Sequence, residues 1–225
     1  MSADPDLRQM QSATSHAERM DRQYRYQRHL YDLTRKYYLF GRDRLLQQIS
    51  AKAGQSILEV GCGTGRNIEQ MARLYPRSRF FGLDISKAML ETAHRRFARE
   101  AATAPQLRVA DAASFSAGEF GETGFDHIVI SYALSMIPAW ERAIECSLAA
   151  LKPGGSLHVV DFGQQERLPR LFRRLLRGWL ERFHVHPRAD LFEVMRSAAE
   201  RRGATLQTAT PYGGYAWIGV AKMPA

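Results

Sequence analysis

A glycine-rich turn after a short apolar run is the first feature of this sequence that could do chemistry. Residues 56–67 read SILEVGCGTGRN, and the turn glycines are Gly61, Gly63 and Gly65. Without Cβ atoms the backbone can approach a ligand closely, and the helix expected next begins with unpaired amide groups that attract a polar, partly anionic small molecule. Arg66 occupies the position of the third glycine in dinucleotide-binding turns, so a nicotinamide or flavin cofactor is not the first expectation.

An acidic residue stands at the end of the next predicted strand. Asp84 follows the run 79–83, roughly twenty residues beyond the glycines, and at that separation a carboxylate can accept hydrogen bonds from ribose hydroxyls. Together with Ser86 it could instead cap the helix predicted over 87–98. We favour ligand binding, because the residue type and its position both agree with it.

Further polar residues end two later predicted strands. Asp111 and Ala112 follow the run 107–110, and Ser131 ends the apolar run 125–131. Strands and helices alternate in this part of the chain, which predicts an α/β fold with a doubly wound parallel sheet. Ligands bind such sheets beyond the carboxyl ends of the strands, so these residues join the glycine turn in one predicted site. The last residues predict a β-hairpin that adds an antiparallel edge.

Length and charge limit the classes of function. The chain has 225 residues and a net charge of +9, which suits one domain with an appended arm and predicts attraction to nucleic acid or to an anionic membrane surface. Its two cysteines, Cys62 and Cys146, follow no disulfide or metal-ligand spacing, which favours a reduced, cytoplasmic protein. Residues 1–20 lack the apolar core of a signal peptide, and no run approaches a membrane span, so we expect any membrane contact to be peripheral.

We expect three segments along the chain. Residues 1–16 are predicted to form a mobile leader, 17–50 a helical arm and 51–225 the ligand-binding domain. The arm interleaves tyrosines and arginines densely, which fits either an amphipathic helix with solvated arginines or a lid that closes over a ligand. Near the other end, His184 and His186 lack a third nearby ligand, so no metal site is expected.

A second basic segment, residues 167–183, carries apolar residues at helical spacing. Its arginines are Arg167, Arg170, Arg173, Arg174, Arg177 and Arg182. A helix with Leu, Phe and Trp on one side and arginines on the other is typical of those that lie in a bilayer interface, where each basic residue contributes about 1 kcal/mol on anionic lipid. The alternative is a helix packed on the sheet with a solvated basic edge.

Several ordered motifs resemble those of the class I S-adenosylmethionine-dependent methyltransferases, over about Ser56 to the C-terminus. They are ILEVGCGTG, GLDIS, VADAA, FDHIVISYALSMIP and LKPGG. The resemblance implies a seven-stranded Rossmann-like sheet in the order 3-2-1-4-5-7-6 with an antiparallel seventh strand. It also implies S-adenosylmethionine as cofactor and S-adenosylhomocysteine as product. The residues it assigns to the cofactor are Glu59, Gly61, Gly63, Gly65, Asn67, Asp84, Ile85, Asp111, Ala112 and Ser131.

The same resemblance implies a role for each of these residues. Glu59 and the glycine turn would hold the methionine end of the cofactor, and Asp84 would accept both ribose hydroxyls. Ile85 would pack on the adenine, while Asp111 and the Ala112 amide would bind its polar edge.

The arm narrows the resemblance to one kind of acceptor. YRYQRHLYDLTRKYYLFGRDRLL and the later ERFHVHPR are similar to segments of the bacterial diacylglyceryl-homoserine N-methyltransferases, which trimethylate the headgroup amine of a betaine lipid. Related arms occur in phosphatidylethanolamine and quinone methyltransferases, so these acceptors remain alternatives. The resemblance implies a lipid headgroup as substrate, at the anionic inner face of the cell membrane. His186 departs from the pattern, because a smaller polar residue is expected there.

Methyl transfer to an amine requires a neutral nitrogen and accurate positioning. No clear general base is present: His127 and His184 are candidates, and release of the proton to solvent is the alternative. The resemblance places Ser131 and Tyr132 near the sulfonium, and we assign Tyr31 and Tyr132 to the catalytic centre. Aromatic faces can hold the growing cation, and a forked guanidinium can bind the headgroup carboxylate. The candidate substrate residues are Tyr24, Arg35, Tyr37, Arg188, Tyr212 and Tyr215.

Three other classes of protein remain open. A nucleic-acid methyltransferase would also be basic, but the sequence contains no Asn/Asp-Pro-Pro-Tyr quartet and no RNA-binding module, so we expect no nucleic-acid partner. A quinone or small-molecule C-methyltransferase is the nearest enzymatic alternative. A regulator that binds the cofactor without turnover is the non-enzymatic one.

Overall fold

The computed structural model describes residues 39–98, 104–183 and 185–225. The predicted leader and most of the predicted arm therefore lie outside the described residues, as does His184.

A seven-stranded sheet in the order β3-β2-β1-β4-β5-β7-β6 forms the centre of the domain. The strands are β1 (Ser56–Val60), β2 (Arg79–Asp84), β3 (Gln106–Val109), β4 (Phe125–Ser131), β5 (Leu151–Phe162), β6 (Thr205–Ala209) and β7 (Ala216–Lys222). Strands β1 to β5 pair in parallel, and β7 runs antiparallel to both β5 and β6. The predicted fold class and strand order are confirmed.

Helices cover both faces of this sheet. They are α1 (Arg42–Gln47), α2 (Arg66–Leu74), α3 (Lys87–Phe97), α4 (Trp140–Ala149), α5 (Arg170–Arg182) and α6 (Leu191–Glu200). Because side chains alternate along a strand, Leu58 and Ile128 join the core beneath α4 and α6, while Ile57 and Val129 join the core beneath α1, α2 and α3. Leu180 of α5 is buried in that second core.

Two connections differ in detail from the sequence prediction. The sequence pattern predicts a loop over 118–124, and this connection contains a 3₁₀ turn, Ala117–Phe120, with a capping box and with Phe120 buried in the core. The same pattern predicts a turn over 153–155 before a strand that starts at Ser156. Instead β5 already begins at Leu151, which pairs with Phe125, and the pairing then shifts register. A strand irregularity and a turn use the same small residues, so the pattern does not separate them.

The ends of the central strands lie level with one another. Val60 pairs with Leu83 on one side and with Ile130 on the other, so β1, β2 and β4 end at the same edge. At the opposite edge Asp126 links two strands: its Oδ2 accepts hydrogen bonds from Ser56 N at 2.9 Å, Ser56 Oγ at 2.8 Å and Lys152 Nζ at 2.9 Å. Burial opposes ionisation, but these donors outweigh it and hold the pKa of Asp126 at about 2.

Candidate functional site

The glycine turn adopts the conformation that its residues permit. Gly61, Gly63 and Gly65 all have left-handed φ angles, of 71°, 54° and 77°. The amides of Gly61 and Cys62 both donate to the carbonyl of Leu83 at 2.9 Å, which fixes the turn against the end of β2. The turn therefore joins β1 to α2 without a flexible linker.

The surroundings of the three glycines differ. A Cβ on Gly61 would meet Ala133 Cβ at 2.8 Å, and one on Gly65 would meet Phe97 Cε2 at 2.7 Å, so these two glycines allow close packing. A Cβ on Gly63 would meet nothing within 4 Å. Gly63 is thus the glycine whose backbone faces open space, where a ligand can approach.

Asp84 is held directly against this turn. Its Oδ2 accepts a hydrogen bond from Gly63 N at 2.8 Å, and its Oδ1 accepts one from Ser86 N at 2.9 Å. The cap of α3 is the hydroxyl of Ser86, which accepts from Met89 N at 3.3 Å. A carboxylate oxygen can accept more than one hydrogen bond, so Asp84 can bind ribose hydroxyls in this position.

Glu59 and Asn67 meet beneath the turn. Asn67 Nδ2 donates to Glu59 Oε1 at 2.6 Å, which connects the last residues of β1 to the first turn of α2. Glu59 is 1% exposed. These two predicted cofactor residues are therefore brought together, at the end of β1 as expected.

The next predicted group lies at the end of β3. Ala110 N donates to the carbonyl of Asp84 at 3.2 Å, which brings this segment beside the carboxylate. Asp111 Oδ1 accepts from Ala113 N at 2.9 Å, and the carbonyl of Asp111 accepts from Ser114 and Phe115. None of these turn bonds uses the amide of Ala112. The contact of that amide and of the Asp111 carboxylate with adenine stays a prediction.

Ser131, at the end of β4, offers a hydroxyl to the same edge. It is 7% exposed, and its Oγ has no hydrogen-bond partner within the described part of the chain. A buried polar atom such as Ser131 Oγ is costly unless a ligand or water satisfies it. Ile85, which is half-buried, follows Asp84 directly. The open space at Gly63, the Asp84 carboxylate and the Ser131 hydroxyl together fit the polar adenosyl cofactor that the resemblance implies.

A set of five aromatic residues lies beyond the ends of β4 and β5; it is called the aromatic cluster below. Its members are Phe40, Tyr132, Phe162, Tyr212 and Tyr215. Ring centroids are separated by 5.6 Å for Phe40 and Tyr212, 5.1 Å for Phe40 and Tyr215, and 4.6 Å for Tyr132 and Phe162. Phe40 is 48% and Tyr212 51% exposed. The structure thus brings together three predicted tyrosines and leaves one side of the cluster open.

Tyr132 forms the buried wall of the aromatic cluster. It follows β4 with a φ of 54°, is 1% exposed, and its hydroxyl donates to the carbonyl of Phe40. Burial raises its pKa well above the usual value, and Tyr215 and Asp161 act in the same direction. The phenol therefore stays protonated at neutral pH. Its contribution to the site is the position of its ring, and a role as proton acceptor does not agree with this environment.

The predicted role of Arg188 needs correction. Its Nε donates to Leu134 O at 3.1 Å, its Nη2 donates to Ile137 O at 2.8 Å, and its guanidinium lies 5.6 Å from the ring centre of Trp140. These contacts fix the loop after β4. The Arg188 guanidinium, which was expected to bind a substrate carboxylate, is already hydrogen-bonded to backbone carbonyls.

His127 does not reach the site either. It lies near the start of β4, at the edge opposite the glycine turn, where its ring nitrogens contact Ser156 Oγ at 2.9 Å and Gln55 Oε1 at 3.1 Å. Burial lowers its pKa. His127 is therefore excluded as the general base by its distance from the predicted ligand edge. His184 lies outside the described residues.

Four other predicted residues also lie outside the described residues, namely Tyr24, Tyr31, Arg35 and Tyr37. Their assignments stay predictions. Conversely, the sequence reasoning missed Phe40 and Phe162. Phe162 ends β5, and the rule that strand ends face the ligand would have found it. Phe40 precedes a glycine at the start of α1, and no local pattern marks it.

The two cysteines are both free thiols. Cys62 is buried inside the glycine turn, where burial, followed by the charges of Asp84 and Glu59, raises its pKa well above the usual value. Within residues 39–98, 104–183 and 185–225, no three His, Cys, Asp or Glu side chains form a group that could hold a metal ion. Nor does any helix in those ranges have the length and apolar character needed to span a bilayer.

Helix α5 exposes large apolar side chains in its first half. Leu171, Phe172 and Leu175 are 72%, 50% and 65% exposed, and Arg170 and Arg174 lie exposed among them. These five residues are called the α5 patch. The predicted helix thus buries only its second half, through Leu180, while its first half presents apolar and basic side chains together to solvent.

Backbone pairing connects the segment that precedes α5 to the segment that carries Tyr212. The amides of Gln165 and Arg167 donate to the carbonyls of Gly214 and Gly213 at 2.9 and 3.0 Å. Arg177 of α5 donates through Nε to the Oε1 of the buried Gln165 at 3.3 Å. The α5 patch and the exposed ring of Tyr212 therefore belong to neighbouring segments.

Known proteins share this fold and parts of this sequence. Residues 57–155 match a family described as a methyltransferase domain. The chain is 30% identical over 132 residues to a trans-aconitate 2-methyltransferase of Variovorax paradoxus, with 57% of this chain and 47% of that protein covered. It is 31% identical over 136 residues to a ubiquinone/menaquinone biosynthesis C-methyltransferase of Desulfotalea psychrophila, with 58% of this chain and 53% of that protein covered. The chain thus spans about half the length of these curated relatives.

Solved structures agree on the fold. A phosphoethanolamine N-methyltransferase of Haemonchus contortus, in complex with S-adenosyl-L-methionine, superposes with a TM-score of 0.64 at 17% identity, covering 82% of this chain and 52% of that one. A SAM-dependent methyltransferase from Aquifex aeolicus superposes with a TM-score of 0.62 at 15% identity, covering 84% and 93%. At such identities the likeness establishes the architecture alone.

Proposed function

We propose that this chain, whose residues 57–155 match a methyltransferase-domain family, is an S-adenosylmethionine-dependent enzyme that methylates the headgroup amine of a membrane lipid. The acceptor is diacylglyceryl-homoserine, and successive transfers give the trimethylated betaine lipid. The protein works at the anionic inner surface of the cell membrane as a peripheral enzyme. The observation that carries this proposal is the exposed α5 patch, on a helix whose preceding segment pairs with the segment that carries Tyr212 of the partly exposed aromatic cluster.

The cofactor supplies a methyl group on sulfur that is already activated for transfer. This chain would hold it with the Gly63 backbone, the Asp84 carboxylate and the Ser131 hydroxyl, while Asp111 and the Ala112 amide face the adenine. Ser131 and Tyr132 follow one another at the end of β4, so the cofactor residues and the aromatic cluster adjoin there. The protein's main task is positioning, which can lower a barrier by several kcal/mol.

The aromatic cluster suits an amine that becomes a quaternary ammonium. Ring faces attract such a cation by about 0.5–2 kcal/mol, more strongly when it is desolvated. Phe40 and Tyr212 are half-exposed, while Tyr132 and Tyr215 are buried behind them, so a headgroup can enter from one side. The attacking nitrogen must be neutral, and in the described site no histidine lies in place to accept its proton. Release of the proton to water fits this arrangement.

The α5 patch suits a lipid surface. Exposed Leu171, Phe172 and Leu175 can enter the boundary between headgroups and acyl chains, and the arginines can pair with anionic headgroups. Since Gln165 and Arg167 pair with the segment that carries Tyr212, binding through the α5 patch would keep the aromatic cluster near the headgroup layer. A packed structural helix would not need three large apolar side chains in water.

A quinone C-methyltransferase is the second candidate, because the Desulfotalea psychrophila relative carries that description. An apolar quinone would also use the α5 patch. It carries no cation, however, and would gain no cation–π attraction in the aromatic cluster. Phosphatidylethanolamine carries the amine but lacks the carboxylate of the homoserine headgroup.

The test offers all three acceptors to the purified protein. Anionic vesicles containing diacylglyceryl-homoserine, phosphatidylethanolamine or a demethylated menaquinone are incubated with methyl-labelled S-adenosylmethionine. We expect label in the homoserine lipid, as mono-, di- and trimethylated products by mass spectrometry, and none with the Asp84→Ala variant as control. Label found only in the ethanolamine lipid or only in the quinone would replace the proposal by the corresponding alternative.

A further inference from the structure

We propose that Arg42 binds a carboxylate on the acceptor and thereby selects amine lipids that carry one. The inference rests on the proposed function and adds a specificity residue to it. Arg42 begins α1, directly after Phe40 and Gly41, and its side chain is only 5% exposed.

Within residues 39–98, 104–183 and 185–225, the guanidinium of Arg42 has an acceptor for only one of its donors. Its Nε donates to Asp43 Oδ1 at 3.0 Å, and Asp43 is a largely exposed neighbour on the same helix. Within the described part of the chain this is its one hydrogen bond. A guanidinium has donors on three nitrogens, and a buried cation is costly until they are satisfied. The two terminal nitrogens of Arg42 present the forked geometry that matches a carboxylate.

The position of Arg42 is on the acceptor side of the edge. Phe40 contacts Tyr212 and Tyr215 through its ring and accepts the Tyr132 hydroxyl at its carbonyl. A Cβ on Gly41 would lie 3.5 Å from Ala216 Cβ of β7. Arg42 is also close enough to Tyr132 for the positive charge of the guanidinium to oppose the rise in the pKa of Tyr132 that burial causes. Apart from Ser131 at the end of β4, the residues assigned to the cofactor lie at or near the ends of β1, β2 and β3.

The pairing of Arg42 with the aromatic cluster matches one kind of headgroup. A homoserine headgroup carries an amine and a carboxylate a few bonds apart, so its cation can lie on the ring faces while its carboxylate meets the guanidinium. Ethanolamine offers only the first contact, and a quinone offers neither. Of the two arginines that the sequence predicted to bind the carboxylate, Arg188 is the described one, and it is engaged by the carbonyls of Leu134 and Ile137.

The experiment compares an acid with its ester. Vesicles contain diacylglyceryl-homoserine or its carboxyl methyl ester, and the rate of methyl transfer is measured for the wild type, Arg42→Gln and the control Arg44→Gln, which changes an exposed arginine on the same helix. We expect Arg42→Gln to raise the apparent KM for the acid by about 10- to 100-fold, because charge-assisted hydrogen bonds are lost. The apparent KM for the ester should stay unchanged. Arg44→Gln and the affinity for S-adenosylmethionine should show no change.

Each outcome has a distinct meaning. An equal effect of Arg42→Gln on acid and ester overturns the inference and leaves the proposed function standing. So does a weakened cofactor affinity with an unchanged acid-to-ester ratio, since the guanidinium would then serve the carboxylate of the cofactor. Methylation of neither lipid by the wild type overturns both. Should Arg42→Gln not fold, Arg42→Lys keeps the charge without the fork, and an unchanged acid-to-ester ratio in that variant contradicts the inference.

Discussion

The edge of the sheet formed by the carboxyl ends of its parallel strands, where ligands are proposed to bind, has two halves that are built from different parts of the chain. At the ends of β1 and β2, the groups proposed to hold the cofactor are the glycine turn and the Asp84 carboxylate, which accepts hydrogen bonds from Gly63 and Ser86. At the ends of β4 and β5, the groups proposed to hold the acceptor are side chains from positions as far apart as Phe40 and Tyr215. The first half depends on a short stretch of chain and the second on the whole fold. Under this proposal a local motif holds the cofactor, while residues outside that motif select the acceptor.

The first half should be the more sensitive to a single change. Replacing Asp84 by Ala removes a carboxylate predicted to accept two ribose hydroxyls, each bond being worth about 1.5–3 kcal/mol. We expect S-adenosylmethionine affinity, measured by calorimetry, to fall by about 100-fold or more. Asp84→Asn should lose less S-adenosylmethionine affinity than Asp84→Ala, because an amide oxygen still accepts a hydrogen bond. Undiminished affinity in Asp84→Ala would contradict the placement of the cofactor.

Changes on α5 should weaken membrane binding, through which the acceptor is proposed to reach the second half, without any effect on the first half. Arg170→Gln with Arg174→Gln removes two exposed charges of the α5 patch, at about 1 kcal/mol each on anionic lipid. We expect roughly 30-fold weaker partitioning onto anionic vesicles in sedimentation, with unchanged cofactor affinity. Arg177 is spared because it donates to Gln164 and Gln165.

The matched control for α5 changes two exposed arginines elsewhere, Arg95→Gln with Arg108→Gln. The same net charge is removed, but not from the α5 patch. Equal loss in both double variants would mean that overall charge, rather than this helix, causes membrane binding. Unchanged partitioning in the α5 variant would mean that the helix is structural.

A comparison among glycines separates ligand contact from folding. Gly63→Ala places a methyl group in open space that the cofactor is proposed to use, so we expect about tenfold weaker S-adenosylmethionine binding from overpacking. Gly203→Ala is the control, because its φ of 63° and open surroundings carry the same backbone strain away from the site. Both should lose about 1 kcal/mol of unfolding free energy. Equal cofactor affinities in the two variants would contradict the role of Gly63.

The smallest effect on function is expected at the opposite edge of the sheet. The pKa of Asp126 is about 2 against an ordinary 3.8, so its ionised form stabilises the fold at pH values above about 4, and this contribution is lost as the pH falls through about 2. Asp126→Asn should therefore cost about 2 kcal/mol of unfolding free energy at pH 7 in urea titrations. Cofactor affinity should stay unchanged, and the exposed Glu141→Gln serves as control. A stability equal to that of the wild type at pH 7 would contradict this assignment.

The positions of the first-half residues could be predicted from the sequence for a physical reason. A glycine turn and a carboxylate at a strand end are set by local backbone requirements, so spacing alone predicted that the glycine turn and Asp84 share one edge of the sheet, where Gly63 and Asp84 are hydrogen-bonded. Their contacts with a cofactor stay predictions. Strand order followed from the family resemblance and the closing hairpin.

The contacts of the second half could not be predicted without the tertiary structure. Nothing near Arg188 in the sequence shows that its guanidinium meets the carbonyls of Leu134 and Ile137. In the sequence His127 is a polar residue in an apolar strand. The direction of β4 places it at the edge of the sheet opposite the glycine turn. Phe40 and Arg42 acquire their neighbours through contacts with β7 and with the end of β4.

Cys62 connects the cofactor half to thiol chemistry. Its sulfur packs where a side chain on Gly82 would stand, and its raised pKa keeps it protonated. Since the thiolate is the reactive form, alkylation or oxidation of Cys62 has to wait for the turn to leave Leu83 and expose the sulfur. A bound cofactor that holds the turn closed would shield this residue from oxidants. The same contacts that shape the ligand site would then determine the redox lifetime of the enzyme.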